Sequence, residues 1–243
     1  MNEAPPKSSE SFDAVVHEFI DFVNMQSGSY MDALSGYAGH YTRVERQVHR
    51  VMRPQMITTK ASGDKVVVCA SYEDPTKPDI VLNRIVRASD YLAANAPGGS
   101  NEQQHVRAIL IFLYTFWELD IRPRLAACTG VEPEDIRSDI MGDLRILRNV
   151  ILHSKSIMRA DKHKGLKKLG ELFVIDAPIH VGYEYLHRIF VLVKQECARL
   201  LLEWTGAAAS APFAIDELRD VAIQNARKGV ESFKMTNRAT DAK

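Results

Sequence analysis

Leu144-Arg145-Ile146-Leu147-Arg148-Asn149-Val150-Ile151-Leu152-His153 sets apolar and charged residues at the spacing of an α-helix. At about 100° per residue, with Leu144 as zero, Leu147, Val150 and Ile151 lie within about 120° on one side and form an apolar stripe. Arg148 falls about 40° from Leu144, at the edge of that stripe. Arg145, Asn149 and His153 follow at about 100°, 140° and 180° and climb a single face. Such a helix must cover its apolar side with other elements, so the segment predicts one member of a helical bundle.

Upstream, Glu132-Pro133-Glu134-Asp135 reads as the acidic start of this helix, with Pro in the first turn and negative charge at the positive dipole end. Before it, Ser100 with Gln103 reads as a capping box for a long helix from about Asn101 to Ala127, kinked or tightened by Pro123. Ile80 to Ala94 also reads as helix, closed by Pro97-Gly98-Gly99. Met56–Thr59 and the β-branched run Val66–Tyr72 flank Ala61-Ser62-Gly63-Asp64, which predicts a β-hairpin. Nearer the start, Ser11 is an N-cap for a helix to about Asn24, Gln26-Ser27-Gly28-Ser29 breaks it, and a second helix runs from Tyr30 to Arg53 before Pro54. Downstream, residues 154–176 are irregular and basic. Pro178 precedes an apolar helix to about Trp204, and a small-residue linker leads to an amphipathic helix near Ile215–Lys228.

The expected architecture is therefore mostly α: a disordered tail (1–10), N-terminal helices plus a small hairpin packed on the bundle (11–78), the helical bundle itself (79–206), and a C-terminal helix with a polar tail (207–243). The 243 residues are 46% hydrophobic and 26% charged, ordinary for a soluble globular protein of this size. With 31 basic and 31 acidic residues the chain is no polycation, so nucleic-acid binding requires a local patch. Cys69, Cys128 and Cys197 are odd in number and far apart, which argues against a disulfide framework or a zinc site; no metal or cofactor is expected. The polar residues 1–10 lack an apolar signal core, and Ala108–Trp117 is too short to cross a bilayer, so a cytoplasmic location away from the membrane is expected.

The chemistry sits on the motif helix. Arg148 is a permanent cation that can hold a phosphate, and His153 can move the proton of a 2′-hydroxyl or of the leaving oxygen; together they suit cleavage of RNA without a metal. The two are about 140° apart on a regular helix, so one helix does not aim both at one phosphate. Either the helix distorts or ends near His153, or the Arg curls round, or two copies meet and complete a composite site, which requires a dimer. An Arg at a core edge calls for a carboxylate, and Glu118, in Phe116-Trp117-Glu118-Leu119, is the candidate if the two helices pack side by side. Residues 154–170 hold six bases (Lys155, Arg159, Lys162, Lys164, Lys167 and Lys168) against Asp161, an asymmetry suited to flanking phosphates. Arg145, Lys155, Arg159, Lys162 and Lys164 are the candidate RNA contacts.

A plainer account stands beside this one: a core-edge Arg paired with an acid, an exposed His at a helix end, Glu118 in a structural ion pair, and a merely solvated basic loop. His40, His49, His180 and His187 read as surface or packing residues. Phe112, Tyr114, Phe116 and Trp117 read as core.

At Leu147-Arg148-Asn149-Val150-Ile151-Leu152-His153 the chain resembles the HEPN superfamily, helical-bundle proteins of bacterial conflict systems and RNA processing whose signature is Arg, a polar residue that is often Asn, a few more residues, then His. Tyr114-Thr115-Phe116-Trp117-Glu118, followed by Arg122 and Leu125, is similar to the acid-bearing helix of the MAE_28990-like group of that superfamily. The resemblance covers roughly residues 80–204. It implies a bundle of four or more helices, a symmetric homodimer through the motif helices, and a metal-independent endoribonuclease leaving a cyclic phosphate. By motif position it implies catalytic roles for Arg148, Asn149 and His153, and for Glu118. A toxin or antiviral-defence enzyme is thus expected, with RNA as substrate and an antitoxin or defence-system component as candidate partner. The alternatives are a non-catalytic RNA- or nucleotide-binding module and a plain protein-interaction bundle.

Overall fold

The computed structural model describes residues 10–49, 56–58, 65–74 and 77–206, with side chains for 10–46 and 86–206. The expected tail up to residue 9 and the helix near Ile215–Lys228 lie outside the described residues.

Helix α1 (Phe12–His49) runs 38 residues, so Gln26-Ser27-Gly28-Ser29 does not break it. A Cβ at Gly28, Gly36 or Gly39 would meet nothing within 4 Å. Each glycine therefore costs the helix only its propensity, about 1 kcal/mol. Against that, Val15, Val16, Phe19, Val23 and Tyr30 are all buried along one side, each contributing about 1.5–3 kcal/mol. Packing outweighs local preference.

Strands β1 (Met56–Thr58), β2 (Lys65–Asp74) and β3 (Lys77–Arg87) form an antiparallel sheet in that order. β1 and β2 make the expected hairpin, with Met56 opposite Val67 and Thr58 opposite Lys65. The third strand is a correction, because residues from Ile80 onward read as helix. Ile80, Val81, Ile85 and Val86 are β-branched and fit a pleated surface, and β2 offers an adjacent edge, pairing Tyr72 with Ile80 and Val66 with Arg87. Helix is left only to α2 (Ala88–Asn95).

Helix α3 (Ser100–Phe116) continues through a π-helical turn (Trp117–Ile121) into α4 (Arg122–Thr129), which ends at Gly130 in the left-handed conformation (φ 72°). Pro123 has no N–H to donate four residues back, and the α hydrogen-bond pattern gives way just before it. The Arg122 N–H reaches the Trp117 carbonyl, five residues back. The expected capping box at Ser100 does not form: Gly99 is the N-cap. Gln103 instead clamps Val181, donating from Nε2 to its carbonyl (3.1 Å) and accepting its N–H on Oε1 (3.0 Å).

Pro133–Asp135 is a separate 3₁₀ turn, and α5 (Asp139–His153) starts later than expected. Ser138 caps it, its hydroxyl accepting the Met141 N–H at 3.3 Å. A short α6 (Ala160–His163) and a 3₁₀ turn (Gly170–Leu172) lead to α7 (Tyr183–Thr205). Phe19 of α1, Leu110 and Leu113 of α3, Leu144, Leu147 and Val150 of α5, and Leu186, Ile189 and Val193 of α7 share one apolar core. The fold is a mostly α bundle carrying a small sheet. Among the described residues no helix is long and apolar enough to cross a membrane.

Candidate functional site

The stripe on α5 is buried as its spacing requires, and this aims the polar residues outward. Leu144, Leu147 and Val150 are fully buried, Arg148 and Asn149 are half-buried, and Arg145 and His153 are exposed. His153 is the last residue of the helix. Beyond it Lys155 and Ser156 both adopt positive φ, 51° and 59°, a strain of roughly 1–3 kcal/mol each for residues other than glycine. The surroundings hold them there. Ser154 and Ser156 donate their N–H groups to the Val150 carbonyl, at 3.0 and 3.1 Å. Met158 then bonds Ala177, and Ile179 bonds Ser156. The end of the motif helix is fixed rather than frayed.

Arg148 donates from Nη1 to Oδ1 of Asn149 at 2.9 Å, and its Nε is buried with no acceptor. Among the described residues no carboxylate pairs with it. The expected Glu118–Arg148 pair is therefore not formed. Glu118 accepts two bonds from Nη1 of Arg122, at 3.4 and 3.1 Å, one helical turn away on the π turn. A partner on the same helix needs no tertiary alignment, so it wins the carboxylate. No hydrogen bond or ion pair joins His153 to Arg148 within this chain, in keeping with their separation around the helix.

Arg145 stands one turn before Arg148 and lines a cleft of about 240 Å³ with Tyr114, Trp117, Glu118, Arg122 and the start of α5. Burial pushes the Tyr114 phenol up, and Glu118 adds to the push. Arg145, Arg122 and Arg148 pull it the other way, so three guanidinium groups act on one hydroxyl. Tyr114 packs half-buried against the core, as expected, and also lines this cleft; Trp117 is buried (2% exposed) as expected, and Phe112, expected in the core, is 57% exposed.

The basic loop is tied to the motif helix by a residue that spacing did not single out. Asp143 is 1% exposed, and its carboxylate accepts the backbone N–H groups of Lys167 (2.8 Å), Lys168 (2.7 Å) and Leu169 (2.8 Å). The available signal was an acid next to Leu144 and four residues before Leu147, on the apolar side of the wheel. His163 closes the same loop, its Nε2 lying 3.0 Å from the Gly170 carbonyl and 3.1 Å from that of Phe173. Of the candidate RNA contacts, Arg159 pairs with Asp176 (2.9 Å) and Lys162 with Asp161 (3.2 Å). Exposed pairs of this kind are worth little and leave both cations able to exchange partners. Lys155 and Lys164 are exposed.

His187 is exposed and stacks on Tyr183, His180 is exposed beside Gly98, and Nδ1 of His40 lies 2.7 Å from Nη2 of Arg43; the His49 side chain lies outside the described residues. Cys128 and Cys197 are free thiols, and burial pushes Cys197 up to about 12. Among the described residues no three His, Cys, Asp or Glu side chains are placed to hold a metal ion. No family model, curated protein or solved structure matches the chain.

Proposed function

We propose that the chain is a metal-independent endoribonuclease of a toxin or antiviral-defence type, working as a homodimer in which the motif helices of two copies build each site. The reading rests on one observation: Arg148 is half-buried beside a neutral Asn149 and has no carboxylate partner among the described residues, with an exposed imidazole five residues further along the helix. A half-buried guanidinium without a counter-charge is poised to take an anion. On an RNA phosphate, Arg148 stabilises the charge that develops on the phosphorane, and such preorganised stabilisation supplies much of the acceleration. His153 takes the 2′-hydroxyl proton or returns one to the leaving oxygen, forming a 2′,3′-cyclic phosphate. Asn149 orients the guanidinium, and the exposed lysines beyond His153 attract the flanking phosphates. Glu118 acts through Arg122 rather than on Arg148.

The test is incubation with bulk RNA in the presence of a chelator, wild type beside His153→Ala and Arg148→Ala. Cleavage by the wild type and a loss of about 10²-fold or more in each variant are expected. Chelator-sensitive cleavage, or full activity in His153→Ala, sinks the scheme. The separation of Arg148 from His153 within one chain favours a second reading, a non-catalytic RNA- or nucleotide-binding partner. That reading expects salt-sensitive binding without cleavage, retained in His153→Ala.

A further inference from the structure

We infer that the cleft between the π turn and the first half of α5 is a second anion site, one that takes a backbone phosphate of single-stranded RNA beside the bond that Arg148 and His153 are proposed to cut. The inference rests on the ribonuclease reading for its substrate and on the cleft itself for its chemistry. Four cations line the cleft against two carboxylates. Glu118 is taken by Arg122 and Asp139 by Lys167, at 3.1 and 2.6 Å. Arg137 and Arg145 have no carboxylate partner among the described residues, and Nε of Arg122 is buried without an acceptor. The site therefore carries an excess of two positive charges and an unmet donor, with the Tyr114 ring in its wall.

Phosphate fits this set better than the carboxylate of an acidic peptide. Guanidinium forks grip tetrahedral oxygens bidentately. Arg145 lies three residues before Arg148, about 4.5 Å along the helix axis, so the cleft continues the rim of the proposed catalytic end. Trp117 is too buried to offer a stacking face, and the half-buried Tyr114 ring can at most stack on a base without reading which base it is. The contact should fix register along the RNA without reading its sequence.

Trp117 makes the cleft observable. In a Trp204→Phe background, its emission is followed while the full chain is titrated with inorganic phosphate, with a short oligoribonucleotide lacking terminal phosphates, and with polyglutamate. The oligoribonucleotide should change the emission. Arg145→Ala and Arg137→Ala should each weaken binding and lower the slope of log affinity against log salt by about one. Both side chains are exposed, so the fold survives. Arg145→Lys keeps the charge but loses the fork and should fall in between, while His153→Ala should bind as the wild type does. An equal response to polyglutamate, a response to free phosphate alone, or an unchanged affinity and slope in both alanine variants overturns the inference. RNA bound in the cleft but never cut removes the nuclease reading and leaves the cleft. RNA cut by Arg145→Ala with wild-type KM and salt slope removes the cleft and leaves the nuclease.

Discussion

Oδ1 of Asn149 holds Nη1 of Arg148 at 2.9 Å, so the guanidinium is positioned by a group that leaves its charge intact. A carboxylate in the same place would position it equally well and cancel the field that a phosphate needs. Asn149→Asp should therefore raise stability by up to about 1 kcal/mol through the new ion pair and lower RNA cleavage by about tenfold or more. Urea unfolding and a cleavage assay on the same preparation check both. A variant as active as the wild type would show that the charge on Arg148 is not used.

Two copies are needed if Arg148 and His153 meet across a two-fold axis. Mixing inactive Arg148→Ala with inactive His153→Ala should then restore activity, because each mixed dimer carries one site with both groups intact. Half the dimers are mixed and half their sites work, so about a quarter of the wild-type rate is expected. If one chain supplies both groups to its own site, mixing restores nothing.

The face of α5 was legible because its apolar period is unbroken: Leu144, Leu147 and Val150 are buried as the wheel requires. The continuity of α1 was not, since the glycines that suggested a break face open space and cost little. β3 was lost because Ile80, Leu82, Ile85 and Val86 satisfy helical spacing and a strand alike; only the partner strand decides between them. The sequence pairs Glu118 with Arg148, but a rival cation four residues along the same helix outcompetes one on another helix. Arg137, Arg122 and Tyr114 come together through the π turn and the delayed start of α5; Pro123 marks where the helix is disturbed, but not that the disturbance is a π turn facing α5.

Asp143 carries a large share of the loop's order. Replacing it with Ala takes the acceptor from three N–H groups, those of Lys167 and Lys168, which are partly buried, and that of Leu169, which is buried. The expected loss is roughly 3–5 kcal/mol by urea denaturation, with faster tryptic cutting at Lys164–Lys168. Asp143→Asn keeps the shape but replaces one acceptor oxygen with a donor, so it should fall between the two. A loss in the alanine variant below about 1 kcal/mol would mean that the loop holds itself.

Acid should weaken the fold through Arg124, which pairs Glu10, Glu18 and Asp120 at 2.5, 2.6 and 2.7 Å. Hydrogen bonding to that guanidinium holds the Glu10 and Glu18 carboxyls below their ordinary range. A carboxyl whose folded pKa is lowered binds fewer protons folded than unfolded near its ordinary pKa, so its contribution is complete above the unfolded value of about 4.3. It drains away as pH falls through the folded value. Arg124→Met should melt a few degrees below the wild type at pH 7, and the two melting curves should converge as pH falls below about 4. A gap that stays constant from neutral pH into that acid range would mean that Arg124 acts through packing of its aliphatic stem and not through its charge.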